Sequence, residues 1–157
     1  MKKRTAKEVM IREVMVVQAE WSVDRLAEFL IENGISGAPV TSEEGTLIGV
    51  VSLTDIVRYG RMPEKEPRAH GPHAYYRNGL EGDYSREDLS AIRIDEETSV
   101  LVRDIMTPMI FNVEADTPLS KVADTMITGR IHRLLVTEGR KVVGMITALD
   151  LLKEVRD

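Results

Sequence analysis

The sequence predicts an α/β (α+β) fold made of two β-α-β-β-α repeats that pack on each other, and three observations carry that prediction. The chain repeats itself, because residues 9–41 lie over residues 105–137 in one unbroken register. Each copy holds one amphipathic helical stretch followed by two short β-type runs around a glycine-containing turn. The length of 157 residues, with 43% hydrophobic and 4% aromatic side chains, suits one compact domain or two very small ones.

The register matches Met10 with Met106, Val17 with Val113, Ala19 with Ala115, Ala27 with Ala123, Ile31 with Ile127, Ile35 with Ile131 and Val40-Thr41 with Val136-Thr137. One residue is then dropped in the second turn, after which Gly49 meets Gly144 and Asp55 meets Asp150. A leading strand is expected near 15–18 and again near 110–113. In the first helix Val23, Leu26, Ala27, Leu30 and Ile31 form one apolar face, which Leu119, Val122, Ala123, Met126 and Ile127 repeat in the second. Ser22 is expected to cap the first helix and Gly34 to end it. For the second helix the corresponding signals are Thr117 as cap, Pro118 at the first position and Gly129 near the end. Hairpins over 38–41 with 47–52 and over 133–137 with 141–147 follow, and a short helix closes each copy, near 54–59 and 149–155. About 50 residues bury little surface alone, so the two copies should share a core. The organisation is therefore a first repeat over 1–60, an inserted connector over 61–97 and a second repeat over 98–157.

Composition excludes several classes of function. With no cysteine, disulfide scaffolds, thiolate metal sites and thiol nucleophiles are ruled out, and a reducing cytoplasm is the expected location. No apolar run approaches the roughly 20 residues that cross a bilayer, and Arg12 and Glu13 interrupt the stretch after the basic N-terminus, so neither a membrane span nor a signal peptide is expected. A net charge of −5 speaks against gripping a nucleic-acid backbone.

The repeated Gly49-x-x-Ser52-x-x-Asp55 and Gly144-x-x-Thr147-x-x-Asp150 each lead a strand into a helix. Glycine lets a backbone or a ligand come close, the helix start offers N–H donors to phosphate oxygens, and a carboxylate can accept from paired ribose hydroxyls. The other role open to Ser52, Thr147 and the two aspartates is capping those helices. His132-Arg133 stands where the first copy has Ser36-Gly37, and an imidazole beside a guanidinium suits phosphates.

The order of Asp104-Ile105-Met106-Thr107-Pro108, Asn33-Gly34-Ile35-Ser36-Gly37-Ala38-Pro39-Val40, Gly49-Val50-Val51-Ser52-Leu53-Thr54-Asp55, Ile131-His132-Arg133-Leu134-Leu135-Val136 and Gly144-Met145-Ile146-Thr147-Ala148-Leu149-Asp150 resembles a tandem CBS pair, or Bateman module. The resemblance implies two repeats related by a pseudo-two-fold axis and packed through their small sheets, with ligand clefts between them. It also implies ribose binding at Asp55 and Asp150, and hydroxyl or phosphate contacts from Ser52, Thr54, Thr147, Ser36, His132 and Arg133. The adenine pocket would draw on Thr5, Val9, Ile35, Val50, Ile131 and Met145. Leu149 replaces the Thr54 hydroxyl, so the two pockets should differ in polarity.

The function expected on these grounds is a non-catalytic regulatory sensor for an adenosine-containing ligand, AMP, ADP, ATP or S-adenosylmethionine, with no catalytic cofactor. The resemblance adds a homodimer formed through the helices, and a separate regulated protein as the listener. The alternative is a structural dimerisation module that binds no ligand. No nucleophile elbow, phosphate loop or acid/base constellation points to an enzyme. His70-x-x-His73 lacks helical spacing because Gly71-Pro72 separates the imidazoles, so no metal site is expected. In the connector, Ser85-Arg86-Glu87-Asp88 reads as the start of one short helix, and the remainder as a surface loop, a lid or a partner surface.

Overall fold

A computed structural model describes residues 4–60, 76, 100–108 and 110–156. It divides into two compact units, one formed by 1–14 with 111–157 and the other by 15–110. The units therefore cut the chain elsewhere than the repeats do, since each takes in the segment that precedes the other repeat.

The unit spanning 15–110 contains β1 (Val17–Gln18), α2 (Val23–Asn33), β2 (Gly37–Thr41), β3 (Leu47–Ser52), α3 (Leu53–Gly60) and α4 (Val102–Ile105). The other holds α1 (Ala6–Val9), β4 (Asn112–Glu114), α5 (Leu119–Gly129), β5 (Arg133–Glu138), β6 (Lys141–Thr147) and α6 (Ala148–Arg156). Each has one three-stranded sheet, ordered β1-β2-β3 or β4-β5-β6, in which the first pair is parallel and the second antiparallel. The strand-helix-strand-strand-helix order read from the sequence is present twice, and both hairpins carry a register shift at the same point, Val40/Thr41 and Val136/Thr137.

One difference between the sheets follows from a single residue. Pro39 has no N–H to offer a neighbour, and β1 pairs with β2 only through Val40 and Thr41. Leu135 occupies the matching place in β5, and there β4 reaches one residue further, pairing Asn112 with Leu135.

The core of the first unit gathers Val23, Leu26 and Leu30 from α2, Ala38, Val40 and Val51 from the sheet, and Ile56 and Val57 from α3. Each valine, leucine or isoleucine among them contributes about 1.5–3 kcal/mol by leaving water. In the second unit Val122 and Met126 of α5 and Leu134, Leu135, Val136 and Ile146 of the sheet are buried. Ile127, read from the sequence as part of the apolar helical face, is instead 75% exposed.

Ser22 caps α2 by accepting the Arg25 N–H at 3.1 Å, and Gly34 ends it at φ +62°. The second helix departs from its predicted start. Thr117 does not cap α5: its carbonyl accepts the Ala6 N–H at 2.8 Å, its N–H donates to Glu114, and Pro118 takes the cap position. Gly129 is the last helical residue, near the end as expected, and the left-handed residue after it is Arg130, at φ 53°. Holding a residue with a Cβ there costs on the order of 1 kcal/mol, which Gly34 avoids.

The short helices α1 and α4 were not anticipated. Each is tied to the turn between the first strand and the long helix of its unit through the same set of bonds. Ala6 and Lys7 N–H donate to the Thr117 and Ala115 carbonyls, and Val102 and Arg103 N–H donate to those of Trp21 and Ala19. An isolated antiparallel bridge then ties Ile11 to Met145 in one unit and Thr107 to Val50 in the other. Of the connector only Tyr76 is described, and it is fully buried. The helix expected from Ser85 lies outside the described residues.

Candidate functional site

Each unit ends its hairpin in a junction where the last strand runs directly into a helix, and the repeated glycine, hydroxyl and carboxylate all meet there. At the β6–α6 junction Thr147 caps the helix and Asp150 is the third helical residue. The Asp150 Oδ2 accepts the Thr147 N–H and hydroxyl, both at 2.9 Å, and the Thr147 Oγ1 accepts the Asp150 N–H at 3.3 Å. This reciprocal pair is a capping box. Asp150 is buried, and its other oxygen, Oδ1, lies 3.5 Å from the Lys153 ammonium. At the β3–α3 junction the Asp55 Oδ2 likewise accepts the Ser52 N–H at 2.8 Å and the Ser52 hydroxyl at 3.3 Å.

The capping role weighed in the sequence is thus filled in both copies through Oδ2. The expectation that the helix starts offer open N–H donors to phosphate holds less well. The first N–H of α3, from Leu53, donates to the Ser36 carbonyl, and that of α6, from Ala148, donates to the His132 carbonyl. These bonds fix the start of each helix against the residue that enters the first strand of its hairpin, and they occupy the first N–H of the helix.

The supporting side chains are distributed by register. Arg133 pairs with Thr147 across the antiparallel ladder, so the two side chains leave the same face of the sheet. Arg133 is half-buried and His132 beside it is exposed. In the other unit Gly37 pairs with Ser52, and Ser36 is half-buried. Thr54 is completely buried and has an interaction of its own. Of the adenine-pocket candidates, Val50 and Ile131 are buried, whereas Thr5, Val9, Ile35 and Met145 are half-buried. Thr5 and Val9 fall in the unit of Ile131 and Met145, not in that of Ile35 and Val50. The Thr5 hydroxyl donates to the Glu8 carboxylate at 3.2 Å. The residues in the corresponding places of the other unit are Leu101 and Ile105, which sequence reasoning passed over. Ile105 faced Val9 in the repeat register and could have been found by it.

The matching glycines are positions of close backbone approach. A Cβ on Gly49 would come 2.7 Å from the Thr107 carbonyl oxygen, and one on Gly144 would come 2.9 Å from that of Ile11. Of the two possibilities left open by the sequence, a neighbouring backbone is what the glycines admit.

Burial raises the Asp55 carboxyl above its ordinary value, against the pull of the Ser52 N–H and hydroxyl and of the Arg58 charge. The native protein therefore binds this proton more tightly than the unfolded chain does. The contribution of Asp55 to stability is greatest at low pH and falls as pH rises from the ordinary carboxylate value through the raised one. Urea unfolding of wild type and Asp55→Asn between about pH 4 and 7 should show the wild type losing ground to the variant as pH rises. A wild type that gains on the variant over that range contradicts the desolvation of Asp55.

Among the described residues no group of three or more His, Asp or Glu side chains is arranged to hold a metal ion, and His70 and His73 lie outside them. No described helix is long and apolar enough to cross a membrane.

Residues 6–61 and 102–157 match the CBS domain family, and the chain belongs to that family as a pair of CBS repeats. It is 30% identical over 135 residues to the chloroplastic CBS domain-containing protein CBSX1 of Arabidopsis thaliana, an alignment covering 84% of this chain and 55% of that protein. The chain thus spans about half the length of that relative. The crystal structure of CBSX2 in complex with AMP superposes with a TM-score of 0.66 at 23% identity, covering 97% of this chain and 96% of the other. The CBS domain pair of protein MJ0100 in complex with 5′-methylthioadenosine and S-adenosyl-L-methionine gives 0.64 at 19% identity, covering 98% and 97%.

Proposed function

We propose that the chain is a non-catalytic sensor that binds an adenosine-containing small molecule, AMP, ADP, ATP or S-adenosylmethionine, at its strand-to-helix junctions. The observation that carries this reading is the pair of inward-set carboxylates, Asp55 and Asp150. Each is oriented by its own helix cap through one oxygen only, in a family whose relatives include proteins crystallised with AMP and with S-adenosylmethionine. A neutral side chain can accept the same N–H, so the charge serves the helix dipole and is available to a ligand as well. A carboxylate so placed offers charge-assisted acceptance to ribose hydroxyls.

Ser52, Thr147 and Ser36 supply further polar contacts in this reading, His132 and Arg133 hold phosphate, and the half-buried apolar side chains receive the adenine. Signalling follows from population shift: a ligand that prefers one arrangement of the chain changes the surface presented to a regulated partner protein. A cytoplasmic location belongs to the same reading and rests on the cysteine-free composition. Thermal unfolding in the presence of each of the four ligands tests it, since at least one should raise the midpoint in a saturable way.

A homodimer is part of the proposal, supported by the outer face of α6, where Leu149, Leu152 and Val155 recur at helical spacing and are 48%, 61% and 82% exposed. Leu152→Glu should convert a dimer to a monomer by light scattering and make the unfolding midpoint lower and independent of protein concentration; a wild type that is already monomeric contradicts it. The same face favours the second reading, a structural dimerisation module without ligand, because both aspartates already have a capping role.

A further inference from the structure

The two junctions differ in charge, and the difference takes the adenosine-sensor reading, on which this inference rests, one step further. The β6–α6 junction carries two basic side chains besides its carboxylate. Lys153 stands 3.5 Å from Asp150, and Arg133 leaves the sheet on the face of Thr147, with His132 beside it as a further donor. The β3–α3 junction has Ser36 and Gly37 in place of His132 and Arg133, and Arg58 is the cation whose charge acts on Asp55.

Among the described residues, a phosphate placed near Asp55 meets a desolvated carboxylate with the exposed Arg58 guanidinium to offset it and no forked donor on the sheet face. The first N–H of α3 does not help, because it donates to the Ser36 carbonyl at 2.8 Å. A nucleoside without phosphate has no such requirement. Its hydroxyls donate to the carboxylate, and Gly37 sets no side chain opposite Ser52 where Arg133 stands opposite Thr147 in the other unit.

We propose that the two junctions sort adenosine ligands by charge, the β6–α6 junction taking the 5′-phosphorylated nucleotide and the β3–α3 junction a nucleoside whose 5′ group carries no negative charge.

The test is calorimetric titration of the full chain with AMP and with 5′-methylthioadenosine. The double variant His132→Ser/Arg133→Gly, which gives the second repeat the residues of the first, should weaken AMP at least tenfold and leave methylthioadenosine unchanged. Arg133→Gln alone, a milder change, should act in the same direction, which keeps the test decisive if the double variant does not fold. Asp55→Asn should weaken methylthioadenosine and spare AMP. Unchanged AMP affinity in both Arg133 variants, or an equal loss of both ligands in Asp55→Asn, overturns the sorting while leaving the sensor reading intact. Failure of the wild type to bind either compound overturns the sensor reading and the sorting with it.

Discussion

Gly144→Ala is expected to destabilise the chain by about 1–3 kcal/mol, the usual range for forcing atoms into a closely packed site. The added carbon would stand 2.8 Å from Met10 Cγ and 2.9 Å from the Ile11 carbonyl oxygen. The methionine can turn aside, but the carbonyl cannot. Ile11 exchanges two backbone hydrogen bonds with Met145, at 2.8 and 2.9 Å, and moving it would stretch both. Gly49→Ala should behave in the same way in the other unit, where Thr107 and Val50 exchange bonds of 2.8 and 2.9 Å. Gly129→Ala is the control. Its Cβ would make only ordinary contacts with Ile131, from 3.5 Å outward, and within a helix alanine gains up to about 1 kcal/mol over glycine. Urea unfolding of the three variants separates them; a Gly144→Ala midpoint equal to wild type contradicts the backbone contact.

Asp150→Ala should remove two things at once. The α6 cap is worth about 1 kcal/mol, and the lost hydrogen bonds to a charged acceptor should weaken an adenosine ligand by about 1.5–3 kcal/mol, or roughly 10- to 100-fold. Asp150→Asn separates the effects, because its amide oxygen still accepts the Thr147 N–H while the charge is gone. Stability should then stay near wild type, whereas ligand affinity should drop, as read by urea unfolding and by titration. An Asp150→Asn variant that binds like wild type leaves Asp150 as a helix cap only.

Much of the fold was legible because the evidence for it is local. The hairpin strands over 47–52 and 141–147 carry an apolar pattern bounded by turn residues, and they appear with those bounds. The helix end at Gly34 follows from the ease with which glycine enters the left-handed region. In α5 the glycine also falls at the end of the helix, but one residue early, so that Arg130 takes the left-handed conformation. The helices α1 and α4, four residues each, are too short to show a period; their sequence trace is the acidic side chain three residues after the cap, Glu8 after Thr5 and Asp104 after Leu101. The exchange of leading segments had no local trace at all. It depends on hydrogen bonds between residues about a hundred positions apart, such as Lys7 with Ala115, and only the folded chain shows them.

The candidate site divides along the same line. The aspartates, hydroxyls and the His132-Arg133 pair were identifiable from their repeat positions and chemistry. Their geometry was not, because capping and ligand binding require the same residue types at the same spacing. Only the structure shows that Oδ2 of each carboxylate serves the cap and that the first helix N–H is already taken. The asymmetry between Gly37 and Arg133 was visible in the sequence, and the strand register places each opposite its hydroxyl, Ser52 or Thr147.

Calorimetric titration of the wild-type chain with AMP, ADP, ATP and S-adenosylmethionine tests most directly whether these junctions bind an adenosine ligand. Saturable heat with at least one of the four is expected, strongly reduced by Asp150→Asn where the ligand is a 5′-phosphorylated nucleotide; no heat with any of them contradicts the sensor.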